Sequence, residues 1–193
     1  MAREFELKYR CDGETLSRIA EAFPGLKPIT METTYYDTQD LKLSFHHWTL
    51  RRRMENGQVV CTFKSPADDG SRNEWEVPCG NIMTAIPQLC QNGAPWELLR
   101  CTAGGVYPFC GARFTRLAKA LTLEHATVEL ALDRGVLTGG GKELPFYEVE
   151  VELKSGAEQE ALAFAEALAK QYGLIPEPKA KVVRARELAL GNV

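Results

Sequence analysis

Tyr147-Glu148-Val149-Glu150-Val151-Glu152-Leu153 is the stretch on which the fold turns. Glutamate falls at every second position with aromatic or aliphatic residues between, the period of a strand whose two faces differ in character. The design recurs near the start, where Glu4, Glu6 and Lys8 alternate with Phe5, Leu7 and Tyr9. It recurs again where Arg72, Glu74 and Glu76 alternate with Asn73, Trp75 and Val77, and where Glu129, Ala131 and Asp133 oppose Val128, Leu130 and Leu132. Leu50-Arg51-Arg52-Arg53 and the run from Val59 to Lys64 read as a hairpin about Asn56-Gly57, a dipeptide suited to the positive φ angles of a tight turn.

For one strand taken alone, the ordinary reading places the apolar face on a core and the charges in water. The set as a whole argues otherwise, because Glu148, Glu150 and Glu152 stack like charges on one face, as do Glu4 with Glu6 and Arg51 with Arg53. Neighbouring like charges repel unless opposite charge lies among them. A closed or nearly closed antiparallel barrel satisfies the pattern, with charged faces turned to a wet lumen and apolar faces turned out under helices. Such a lumen holds carboxylates from Glu4, Glu6, Glu74, Glu129, Asp133, Glu148 and Glu150, hard oxygen donors suited to Mg²⁺ or Mn²⁺. It also holds Lys8, Arg51, Arg53, Lys64, Arg116, Lys181 and Arg184, whose N–H groups suit phosphate. Carboxylates, divalent metal and bases together describe a polyphosphate site.

Helical spacing fills the gaps. Ser155-Gly156-Ala157-Glu158 reads as a capping box that opens a helix carrying Leu162, Phe164, Ala165, Leu168 and Tyr172 and stops at Gly173. A shorter helix is predicted around Leu16, Ile19, Ala20 and Phe23, ended by Pro24-Gly25, with weaker helical patterns over 81–91 and 109–121. Gly139-Gly140-Gly141 reads as the link between two antiparallel strands.

Composition sets the frame. The 193 residues carry 23 Lys and Arg against 26 Asp and Glu, a net charge of −3, with 45% hydrophobic residues. This is ordinary for one globular domain, residues 1–193, and excludes disorder as a whole-chain reading. The slightly acidic balance gives no general field for nucleic acid or an anionic membrane, so a polyanion must be caught by local basic clusters. No apolar run approaches the ~18 residues of a membrane span, and no signal-peptide pattern opens the sequence, so the expected location is the cytoplasm. The six cysteines form no C-x-x-C pair and two of the three histidines are the adjacent His46-His47, so neither a zinc site nor a disulfide framework is expected.

Glu4-Phe5-Glu6-Leu7-Lys8 resembles the E-x-E-x-K signature of the CYTH superfamily, the triphosphate tunnel metalloenzymes. Further segments similar to that family follow in order: Tyr35-Tyr36-Asp37-Thr38, Leu50-Arg51-Arg52-Arg53, Thr62-Phe63-Lys64, Asn73-Glu74-Trp75, Val128 to Asp133, Glu148 to Leu153 and Lys179-Ala180-Lys181. The resemblance implies an α+β fold built on an eight-stranded antiparallel tunnel, dependence on Mg²⁺ or Mn²⁺, and a small-molecule triphosphate substrate. Within the family the chain looks most like bacterial inorganic triphosphatases and is also similar to thiamine-triphosphatases; Arg52 stands where an apolar residue is common.

By that resemblance Glu4, Glu6, Glu148 and Glu150 lead the metal ligands and Glu152 continues their face, while Glu74, Glu129 and Asp133 hold a second cation or orient water. Arg51, Arg53, Lys64, Arg116, Lys181 and Arg184 would bind phosphate. Lys8 would bind phosphate or polarise Tyr35, a catalytic assistant beside Arg53. The implied reaction is hydrolysis by metal-activated water in line with the departing diphosphate. Phe63, Trp75 and Tyr147 all fall on apolar faces, which leaves no inward aromatic cluster for a nucleobase or thiazolium ring, so bare tripolyphosphate is the expected substrate. Thiamine or nucleoside triphosphate hydrolysis, class IV-type adenylate cyclisation and a non-catalytic polyphosphate-binding module are the alternatives.

Overall fold

The computed structural model describes residues 5–67 and 72–192. In chain order the first elements are β1 (Glu6–Arg10), α1 (Gly13–Ala22), β2 (Lys27–Asp37), α2 (Lys42–Phe45), β3 (Thr49–Glu55), β4 (Gln58–Pro66) and β5 (Arg72–Val77). Then come α3 (Ile82–Gln91), α4 (Glu97–Cys101), β6 (Tyr107–Thr122), β7 (Ala126–Gly139) and β8 (Lys142–Gly156). The chain closes with α5 (Glu158–Tyr172), β9 (Ile175–Pro176) and α6 (Lys181–Leu190).

The strands follow the hydrogen-bonded order β5-β4-β3-β2-β6-β7-β8-β1-β9. The pairings of β1, β3 and β4 with their neighbours are antiparallel. An α+β fold rich in antiparallel sheet is therefore correct. The expected count of eight strands is corrected to nine, because Pro176 and Ile175 pair with Tyr9 and Arg10 and add a two-residue strand outside β1. The order ends at β5 on one side and β9 on the other and does not close among the described residues.

Two compact units divide the chain, with the long strands β6 to β8 shared between them. The first takes the chain up to Thr30, Phe114–Val136 and Leu144–Ala180. Its core takes Tyr9 from β1, Val128, Leu130 and Leu132 from β7, and Val149 and Val151 from β8, covered by Leu16 and Ile19 of α1 and Ala161, Ala165 and Leu168 of α5. These strand residues are the apolar partners of the alternating pattern, and burying each such side chain contributes roughly 1.5–3 kcal/mol. Helix α1 starts where Asp12 accepts the Thr15 N–H at 2.7 Å.

The second unit takes Met31–Arg113, Leu137–Glu143 and the chain from Lys181 on. Leu50, Cys61, Phe63 and Val77 supply the strand side of its core, and Leu43, Ile82, Ala85, Ile86, Leu89 and Leu98 the helical side. The β3–β4 turn is the two-residue hairpin expected at Asn56-Gly57, with φ of 49° and 85° and Glu55 opposite Gln58. Gly140 and Gly141, at φ 58° and 74°, turn β7 into β8. Helix α6 lies so close to this turn that a Cβ on Gly139 would stand 2.7 Å from the Ala185 carbonyl oxygen.

Two local expectations are corrected. Residues 109–121 are not helical: they belong to β6, where a Cβ on Gly111 would meet the Thr33 carbonyl oxygen at 2.7 Å, so close backbone passage decides over the helix propensity of its alanines. The capping box at Ser155 to Glu158 is absent. Strand β8 runs through Gly156, and Ala157 caps α5 without a side-chain bond. The Ala157 N–H is tied to the His125 carbonyl, and Glu160 accepts the N–H groups of Glu124 and His125 instead.

Candidate active site

The alternation that built each core leaves a polar face on the same strands. In the first unit, β8 presents Glu148, Glu150, Glu152 and Lys154 on the face opposite Val149 and Val151. Strand β1 aligns its own charges with them: Glu6 opposite Glu152, Lys8 opposite Glu150 and Arg10 opposite Glu148. Glu4, expected to lead the metal ligands, lies outside the described residues.

Asp133, Glu148 and Glu150 form the centre. A carboxylate oxygen from each lies within 4.8 Å of the others, and the three side chains are buried, with relative exposures of 0%, 0% and 6%. Two like charges at that separation repel by about 3.5 kcal/mol at an effective dielectric constant of ~20. Arg116 of β6 offsets part of this. Its Nε and an amino nitrogen donate to the two oxygens of Asp133, both at 2.8 Å, and the amino group also donates to Glu150. Burial alone would make that guanidinium easier to deprotonate, but the hydrogen bond to Asp133 and the charges of Glu150, Asp133 and Glu6 outweigh it and raise its pKa above the ordinary arginine value.

Clustered hard oxygen donors of this kind fit a divalent cation of the Mg²⁺ or Mn²⁺ type, and Asp133, Glu148 and Glu150 are the residues that would hold it. Glu129 and Glu152, also expected as ligands, meet Lys154, whose Nζ is 3.7 Å from Glu129 and 2.8 Å from Glu152. Lys154 was not singled out from the sequence, although its parity with Glu148, Glu150 and Glu152 was the available signal. Glu6 lies 4.0 Å from Lys8.

In the second unit the polar face mixes the two signs. Arg51, Arg53, Lys64, Glu74 and Glu76 share the side of β3, β4 and β5 opposite Leu50, Phe63 and Trp75. The Glu74 carboxylate lies 3.4 Å from Arg51 and 2.8 Å from Lys64, which places it among bases rather than among carboxylates. Glu76 reaches Arg51 at 3.7 Å and accepts from the Thr62 hydroxyl at 2.7 Å. Arg53, half-buried, stands opposite Thr33 on one side and Val60 on the other. Tyr35 is buried on β2 opposite Arg51. Lys181 and Arg184 sit half-buried on α6. Arg52 points to the other face as its parity requires, where its Nε donates to the Gly80 carbonyl at 2.9 Å.

The site residues thus fall into a buried carboxylate centre in one unit and a ladder of both signs in the other, on strands of an antiparallel α+β protein. Residues 2–185 match the CYTH domain, and the chain belongs to that family. It is 30% identical over 177 residues to the inorganic triphosphatase of Haemophilus influenzae, an alignment that takes in 87% of this chain and 50% of that protein. The chain therefore spans about half the length of that curated relative. Among solved structures it resembles a Hippeastrum protein described as an adenylyl cyclase candidate with a dominant triphosphatase activity, at a TM-score of 0.69 and 20% identity over 96% of both chains. It also resembles a Pyrococcus horikoshii protein, at a TM-score of 0.61 and 21% identity over 98% of this chain and 99% of that one. At these identities the two structures support the fold.

Proposed function

We propose that this chain, acting as one CYTH domain on a small-molecule substrate in the cytoplasm, is a triphosphatase that splits inorganic tripolyphosphate into diphosphate and orthophosphate. The carrying observation is the buried trio of Asp133, Glu148 and Glu150, whose carboxylate oxygens lie within 4.8 Å of one another. Three hard oxygen donors gathered at one buried spot fit a divalent cation. Membership of the CYTH family and the likeness to an inorganic triphosphatase support the same reading. No described helix is long and apolar enough to cross a membrane.

A divalent cation of the Mg²⁺ or Mn²⁺ type held by Asp133, Glu148 and Glu150 would supply positive charge and Lewis acidity toward phosphate oxygens. Arg51, Arg53 and Lys64 hold the phosphate oxygens, joined by Lys181 and Arg184 of α6, and Glu74 and Glu76 keep the arginine and lysine head groups in place before substrate arrives. Lys8 faces Glu150 across the β1–β8 pair and neutralises charge beside the trio. Tyr35 assists Arg53 by orienting the terminal phosphoryl group. Water attacks the terminal phosphorus, the bridging P–O bond breaks, diphosphate leaves, and the proton from water passes to the phosphate oxygens or to solvent. Most of the acceleration is charge stabilisation in the loose transition state.

The test is a panel of tripolyphosphate, thiamine triphosphate and ATP, each with Mg²⁺ or Mn²⁺, read as orthophosphate, diphosphate and cyclic AMP. Tripolyphosphate is expected to give the highest kcat/KM. A kcat/KM ten or more times higher for ATP or thiamine triphosphate, a difference of about 1.4 kcal/mol, overturns the inorganic assignment. Cyclic AMP as the main product, or turnover of none of the three, overturns the triphosphatase.

A further inference from the structure

Two arginines of the second unit stand outside every role assigned above. Arg72 opens β5 two residues before Glu74, on the same face, and pairs opposite Pro66 just as Glu74 pairs opposite Lys64. It therefore extends the ladder by one same-face step, roughly 7 Å along the strand. One of its amino nitrogens donates to the His47 carbonyl at 2.9 Å and lies 3.4 Å from the Thr49 hydroxyl. Arg186, from α6, donates to the next carbonyl along, that of Trp48, also at 2.9 Å. Successive carbonyls of one short connection thus anchor two guanidinium groups from different elements. Both anchors are uncharged main-chain oxygens, and among the described residues neither guanidinium is seen in an ion pair. Each guanidinium has five N–H donors, and these contacts engage one amino group of each. The Arg186 Nε is buried without a hydrogen-bond acceptor among the described residues.

Such a pair is costly unless an anion shares it. Partial desolvation, and then the neighbouring Arg186, lower the pKa of Arg72, with Glu74 working the other way. Asp37, at the end of β2, is already saturated: it accepts the N–H groups of Thr38, Leu43 and Ser44 and the Ser44 hydroxyl. Arg72 is exposed at the residue level. Paired planar guanidiniums match the oxygens of a phosphate group better than any other common biological anion of that charge density.

We propose that Arg72 and Arg186 form an anion clamp for a phosphate beyond the three held by Arg51, Arg53 and Lys64, so that the chain binds linear polyphosphates longer than tripolyphosphate. This rests on the reading of Arg51, Arg53 and Lys64 as phosphate binders. A purely structural role, two side chains pinning the 46–49 connection, would make substitution lower stability and weaken every phosphate ligand alike.

The experiment is titration calorimetry of the whole chain in EDTA, where hydrolysis does not run, with tripolyphosphate and tetrapolyphosphate. The wild-type chain is expected to bind tetrapolyphosphate at least tenfold more tightly. Arg72→Gln and Arg186→Gln are each expected to cut that ratio to twofold or less, and Arg186→Lys to recover part of it. Because Arg186 also anchors Trp48, thermal unfolding is run on every variant, and the exposed Arg72→Gln carries the test if Arg186→Gln does not fold. Tripolyphosphate binding with no gain from the fourth phosphate, or a gain that survives both glutamine variants, overturns the clamp alone. Binding of neither anion overturns the clamp and the triphosphate reading together.

Discussion

The polar face of the first unit and the polar face of the second arise from the same period-two alternation, yet they solve opposite electrostatic problems. In the first, three carboxylates gather in a buried centre, and Arg116 bridges Asp133 and Glu150. In the second, Arg51 and Lys64 converge on Glu74, whose side chain keeps 32% of its exposure. Clustered buried carboxylates are tolerable where a multivalent cation completes them, and clustered cations where a polyanion does. Strand parity placed the charges, and on the proposed function their sign divides the labour.

The comparison breaks most visibly at Arg116. Replacing it with alanine leaves the buried carboxylates without that positive charge, and loss of one partner of a buried pair costs about 3–5 kcal/mol. Arg116→Ala should therefore show the largest fall in stability in urea unfolding, and adding Asp133→Asn should recover part of it by removing one of the stranded charges. Full stability in the single variant would mean the centre is not held by this pair.

Activity distinguishes the regions next. Glu148→Gln, Glu150→Gln and Arg53→Ala should each lower kcat for tripolyphosphate by about 10²–10³-fold, the usual effect of losing one group that stabilises transition-state charge. The carboxylate variants should respond to metal concentration in a changed way, and Arg53→Ala should not. Equal shifts in metal dependence for all three would erase the division.

Metal should also stabilise the fold. A cation at 100 times its Kd adds about 2.7 kcal/mol when it binds only the folded chain, so Mg²⁺ or Mn²⁺ should raise Tm in the wild type. Glu150→Gln should abolish the increment. Its persistence there would move the cation to other ligands.

What the sequence revealed and what it hid follow from the same cause. Alternation is a local signal, so Glu148, Glu150 and Asp133 could be read as one face, and Phe63, Val149 and Val151 as the other, without coordinates. Who pairs with whom is not local. Arg116 is expected from the sequence to bind phosphate, and nothing near it in sequence announces that its donors meet Asp133, 17 residues away, and Glu150, 34 residues away. The β6 segment was obscured because Gly111, Ala112, Ala118 and Ala120 reflect tight backbone passage, a tertiary constraint that imitates helix propensity. At Ser155 the motif was present but its partners were not, since Gly156, at φ 95°, packs where a Cβ would be 2.1 Å from the His125 carbonyl oxygen.

The smallest expected effect is on pH dependence at the edge of the carboxylate centre. Burial tends to lower the Lys154 pKa, but its bond to Glu152 and the charges of Glu152 and Glu129 raise it above its ordinary 10.5. A cation whose pKa is higher folded than unfolded contributes its stability in full below the unfolded value and loses it as pH rises through the folded value. Stability should therefore decline above pH 10.5, and Glu152→Gln should flatten that decline; because Lys154 is well exposed, the change should be small, and a steeper decline in the variant would contradict the assignment.

The division of labour is tested most directly by binding the two ligands separately: Mn²⁺ alone, and tripolyphosphate alone in EDTA, each titrated calorimetrically into wild type, Glu150→Gln and Arg53→Ala. Glu150→Gln should lose at least tenfold in Mn²⁺ affinity and Arg53→Ala at least tenfold in tripolyphosphate affinity, each with less than threefold change for the other ligand. Wild-type Mn²⁺ affinity in Glu150→Gln, or a parallel loss of both ligands in either variant, would contradict it.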